Sequence, residues 1–88
     1  MARTTEKRPS MIHRAFAERF KAERERNGYS QRDIAKILKA SQEIIAAYET
    51  ARAVPYAEDL VAVALLFKVS ADYLLGMTRK RGPYQKDI

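Results

Sequence analysis

The chain has 88 residues, no cysteine, one histidine and a formal net charge of +6. That length holds one domain with a modest core, and the lack of thiols excludes a disulfide framework or a thiolate zinc site. No apolar run of about 18 residues is present to cross a bilayer, and no signal-type apolar stretch follows the basic start, so a reducing, cytoplasmic setting is expected.

The positive excess is unevenly spread. Residues 1–13 carry three basic side chains against one acidic, residues 14–76 carry ten against nine, and residues 77–88 carry four against one. A balanced middle between two basic ends suggests an anionic partner. Solvated, solubilising ends are the plain alternative.

In chain order, residues 1–11 (MARTTEKRPSM) are polar and basic and read as a flexible arm. A helical period begins near Met11: Ile12, Phe16 and Phe20 recur every fourth residue, and Asn27-Gly28 tolerates a left-handed stop. Ser30 offers an N-cap for a second helix, with Asp33 near its positive end and Ile34, Ala35 and Leu38 as its inward face. After a Lys39-Ala40 connector, Ser41 offers the next N-cap, and Ile45 and Tyr48 face inward on a third helix. Arg52-Ala53-Val54-Pro55 breaks the pattern. A fourth helix is predicted over Tyr56 to Phe67, with Leu60, Val63, Ala64 and Phe67 inward. A fifth, Ala71 to Leu75, is capped by Ser70 and ended by Gly76. Residues 77–88 show no period and read as a mobile basic tail. The expected organisation is a single all-α, five-helix domain over residues 12–76 between an arm and a tail.

Two helices joined by so short a connector cross steeply and form a helix-turn-helix, whose second helix can lie in a DNA major groove. Ala35 supplies the small residue at the close approach, and Ile34, Leu38, Ala40, Ile45 and Tyr48 supply the shared apolar face. The span Arg19 to Gly76, roughly two thirds of the chain, resembles the lambda-repressor-like helix-turn-helix family, of the Cro and xenobiotic-response-element type. The resemblance rests on RFKAERERNGYSQ, Ile45, Tyr48-Glu49, Pro55, Leu60, Ala64 and the closing VSADYLLG.

The resemblance implies a compact DNA-binding domain with the third helix as reader. It implies that Gln31 touches a phosphate and braces Gln42, the first residue of the reading helix. It also implies a structural ion pair, Arg24 with Glu49. A glutamine amide suits either contact, since it can donate to phosphate or bind adenine on two atoms. Two positions depart from the family pattern: Lys39 stands where a small turn residue is usual, and Ala51 where glycine is usual.

The outward face of the third helix holds Gln42, Glu43, Ile44, Ala46, Ala47 and Thr50, with no basic residue. Ile44, Ala46 and Ala47 can meet thymine methyls, and Glu43 can accept from cytosine N4. Phosphate contacts are then expected from Gln31, Arg32, Lys36, Lys39, Thr50 and Arg52, from backbone N–H groups opening the second and fourth helices, and from an arm holding Arg3, Lys7 and Arg8.

No nucleophile–histidine–carboxylate set and no glycine-rich phosphate loop occur, so neither catalysis, a cofactor nor a metal is called for. The expected role is a small bacterial or phage transcriptional regulator, a repressor, binding double-stranded DNA as a homodimer on an inverted repeat. Dimer contacts are expected from the fifth helix, the tail or the N-terminal segment, with Leu74, Leu75 and Met77 as apolar contributors. The alternative is a protein-interaction module, such as an antitoxin that also occludes a toxin, using Ile37, Ile44, Ala46 and Ala47 as an apolar face.

Overall fold

The computed structural model describes residues 7–82, with side chains from Met11 onward. Five helices follow one another: α1 (Lys7–Arg26), α2 (Gln31–Leu38), α3 (Gln42–Glu49), α4 (Ala57–Phe67) and α5 (Ala71–Leu74). No strand occurs among the described residues. The fold is all-α, as the periodicity predicts.

The helix starts follow local chemistry. Ser30 Oγ accepts from the Asp33 backbone N–H at 3.0 Å while Asp33 Oδ2 accepts from the Ser30 N–H at 2.9 Å, closing a capping box. Those Ser30 bonds hold the Asp33 carboxyl below its ordinary range. Ser41 and Ser70 cap α3 and α5 through the serine oxygen alone, accepting from Ile44 N and Tyr73 N at 3.1 and 3.0 Å. α1 begins at Lys7, ahead of the Met11 start that the apolar period predicts. Pro9 is compatible with this because the first N–H groups of a helix have no acceptor within it. Lys7 and Arg8, expected in the arm, therefore belong to α1, and Arg3 lies outside the described residues.

Each helix is followed by a residue in the left-handed region: Gly28, Lys39, Ala51, Lys68 and Gly76, with φ of 77, 57, 63, 59 and 84°. At each, the next N–H turns back to a helix carbonyl, as in Ala40 N to Ala35 O at 2.9 Å and Met77 N to Asp72 O at 2.8 Å. Lys39 and Ala51 therefore adopt the conformation that glycine usually takes there, despite the steric cost of a Cβ.

Phe16 and Phe20 stack at 5.2 Å, and Tyr48 meets both edge-on at 5.5 and 6.1 Å. Ile34, Ile45, Val63, Val69 and Leu74 complete a core with no exposed surface on these side chains, while Leu38 and Leu60 close its edge. Ile12 departs from the expected stripe and is exposed, because the helices that cover Phe16 and Phe20 leave this turn of α1 partly bare.

The tail expectation is corrected for residues 77–82. Arg19 Nη1 donates to the Tyr73 and Thr78 carbonyls at 2.6 and 2.8 Å, with its guanidinium 4.3 Å from the centre of the Tyr73 ring. Arg81 donates from Nε and Nη2 to the two oxygens of Glu23, both at 2.9 Å, and its carbonyl accepts from Ser70 N at 3.0 Å. Glu23 is buried, so this segment completes the fold by satisfying a charge on α1. Gly76 lets the chain turn here: a Cβ on it would sit 2.7 Å from that of Ala15.

Candidate nucleic-acid interface

α2 and α3 pack on each other through Ile34, Ala35, Leu38, Ala40 and Ile45, which leaves the opposite flank of α3 open. Gln42, Glu43 and Thr50 are exposed along it, and Ala46 and Ala47 are half-buried. Gln31, Gln42, Glu43 and Ala46 line one shallow depression, so α2 and α3 both contribute to a single surface. Ile44 does not belong to it. Its side chain packs partly on the core and lines a different hollow with Leu38, Lys39, Tyr56, Glu58 and Asp59. At one position past Glu43 the helix has already turned about 100° away from the open face.

α3 is held by its last two residues, Tyr48 and Glu49. Arg24 Nη2 donates to Glu49 Oε1 at 2.9 Å and its Nε to Oε2, the two-point geometry of an arginine–carboxylate pair. A third nitrogen, Nη1, donates to the Tyr29 carbonyl at 2.8 Å, tying the α1–α2 connector into the same group. Hydrogen bonding to Glu49 raises the Arg24 pKa above its usual value despite partial burial. The ion pair that the resemblance implies is therefore formed.

Gln31 takes a different partner from the implied one. Its Nε2 donates to Glu49 Oε1 at 3.0 Å rather than bracing Gln42. A carboxylate only accepts, so the amide must present its nitrogen there and turn Oε1 elsewhere.

Tyr48 supplies the other anchor. Its hydroxyl donates to Asp59 Oδ2 at 2.6 Å and accepts from the Tyr56 N–H at 3.3 Å, so the end of α3 is joined to the start of α4. α4 has no side-chain N-cap, and this hydroxyl serves one of its unpaired N–H groups. Burial, and next the Asp59 bond, push the phenol above its ordinary range.

Among the expected phosphate contacts, Arg32, Lys36 and Lys39 are exposed around α2 and its turn. Thr50 Oγ1 donates to the Ala46 carbonyl at 2.9 Å and accepts from Arg52 Nε at 3.0 Å, so its hydrogen is used inside the helix and its oxygen orients Arg52. The start of α4 carries Glu58 and Asp59, which repel a phosphate from the N–H groups expected to meet one.

The residues that sequence reasoning missed are Glu23 and Arg81. One signal was present, since Phe16, Phe20 and Glu23 share the i, i+4, i+7 face that the core covers.

The model of the helix-turn-helix domain matches residues 17–77. The chain belongs to the helix-turn-helix domain family. That membership agrees with the lambda-repressor-like resemblance and supports a DNA-binding regulator. No curated protein and no solved structure matches the chain.

Proposed function

We propose that this helix-turn-helix protein is a sequence-specific repressor that lays α3 in the major groove of an inverted-repeat operator. The observation that carries the reading is the open face of α3, held in place by Arg24, Gln31 and Tyr48 beside the exposed cations of α2. Gln42, Glu43, Ala46 and Ala47 are the base readers. Gln31, Arg32, Lys36, Lys39, Thr50 and Arg52 flank them toward the phosphates, with Thr50 acting by orienting Arg52 and Gln31 keeping one N–H for a phosphate. The protein acts in the cytoplasm as a homodimer, because paired half-sites supply the specificity that one small module lacks. An apolar groove of Met11, Ile12, Ala15, Leu75, Gly76 and Met77 is the surface that suits the second copy.

Selection from randomised duplexes at near-physiological salt tests this, with Gln42→Ala in parallel. An enriched inverted repeat with half-sites about one helical turn apart, blurred by Gln42→Ala, is the expected result. A pool with no preference sinks it. The protein-interaction or antitoxin reading has one specific support, the exposed Ile37 on α2. Its complex would resist salt, whereas phosphate-driven DNA binding weakens steeply with it.

A further inference from the structure

Resting on that reading, we infer that Glu43 sets one operator position to cytosine and excludes guanine from it. The depression between α2 and α3 is lined by Gln31, Gln42, Glu43 and Ala46, with no lysine or arginine among them. The commonest specific contact to guanine, a basic side chain on O6 and N7, cannot form from such a lining. Glu43 is an acceptor only, is exposed, and has no hydrogen bond or ion pair among the described residues. One Gln31 N–H is committed to Glu49, which leaves its acceptor oxygen uncommitted.

The major-groove edges then decide the base. Guanine offers two acceptors, and thymine an acceptor and a methyl, so both repel or fail to pair with a carboxylate. Adenine offers an amino group beside the N7 acceptor, which faces the second carboxylate oxygen with like charge. Cytosine offers the N4 amino group with the O6 of its paired guanine on one side and only a C–H on the other. Adenine's amino group is flanked by acceptors on both sides, its own N7 and the thymine O4, so of the four bases cytosine alone lets the second carboxylate oxygen of Glu43 turn away from an acceptor. Ala46 lies one helical turn on, on the same face, and its methyl suits a thymine methyl at a neighbouring pair.

Selection from randomised duplexes with wild type, Glu43→Ala and Glu43→Gln tests the assignment. The wild type should enrich a half-site with one strongly constrained cytosine. Replacing that base should weaken binding on the order of tenfold or more. Glu43→Ala should flatten this position and leave the others intact, and Glu43→Gln should change its preference to adenine, which a glutamine amide pairs on two atoms. Thermal melts of both variants, whose exposed side chain bears on no packed neighbour, should stay close to wild type. A wild-type half-site that Glu43→Ala leaves unchanged overturns the assignment while the DNA reading stands. So does a constrained guanine or thymine at the position that the variant affects. A pool that shows no preference at all removes the DNA reading and this inference together.

Discussion

Two neighbouring residues of α1 each make a two-point arginine–carboxylate pair, with the roles reversed. Arg24 reaches α3 through Glu49, and Glu23 receives Arg81 from the segment after α5. The first pair is closed to solvent on both sides, with the side chains 11% and 3% exposed; in the second the carboxylate is 1% exposed and the arginine 41%. A pair sealed on both sides cannot lose a partner without stranding a charge. A pair with one open side can be replaced by water if the covering segment lifts. The α3 flank is therefore built to hold a geometry, and the C-terminal flank to close over a carboxylate.

The largest expected effect breaks the first pair. Arg24→Ala leaves Glu49 buried with only Gln31, and should lower stability by about 3–5 kcal/mol, much of what a domain of this size has. Urea titration followed by circular dichroism measures it. A loss below about 1 kcal/mol would mean that Glu49 finds water and that the pair does not hold α3.

Arg81→Ala should cost less, about 1–2 kcal/mol, because the lifted segment lets Glu23 hydrate. Faster hydrogen exchange should be confined to α5, to residues 77–82 and to the backbone of Ser70, which bonds Arg81. DNA selectivity should survive. If it is lost along with the segment, the two flanks are coupled and the contrast between them fails.

The two pairs also differ in how far the sequence reveals them. Arg24 and Glu49 are visible because they sit inside a run of residues with a recognisable pattern, and the helix caps at Ser30, Ser41 and Ser70 are visible because capping is local chemistry. Arg81 stands in a stretch with no period, and its partner lies 58 positions away, so nothing local announces the contact. Gln31 shows a subtler limit. Its residue type and place are legible, but which acceptor its amide chooses depends on how Glu49 is oriented by Arg24. Ile44 fails for a geometric reason: listing the outward face of α3 by residue type keeps an isoleucine that the helix turns toward the core edge.

A smaller effect sharpens the α3 side. Tyr48→Phe removes the bonds to Asp59 and to the Tyr56 N–H, and should cost about 1 kcal/mol near neutral pH. The folded phenol has its pKa raised above the unfolded value of about 10. Its contribution is therefore complete below pH 10 and declines as pH rises beyond that, since the unfolded chain ionises first. Wild type should lose stability above about pH 10 faster than Tyr48→Phe in parallel denaturant titrations. Equal slopes would mean that the hydroxyl is not protected in the folded state.

The smallest effect compares two left-handed lysines, one on each flank. Lys39 closes α2 in the turn before α3, and Lys68 closes α4 just before the residues that hold Arg81, with φ of 57 and 59°. Glycine at either place relieves the Cβ crowding of that conformation and should stabilise the fold by about 0.5–1 kcal/mol. Only Lys39→Gly should weaken DNA binding, uniformly across operator sequences, and reduce the salt dependence by about one phosphate contact. Lys68→Gly should leave both unchanged. The pair separates backbone relief from charge, because both changes relieve the same left-handed conformation and remove the same cation, and they differ in whether a phosphate lies within reach. If the two variants bind alike, Lys39 is a strained turn residue and no more, and the cations carrying the affinity are those of Arg32, Lys36 and Arg52.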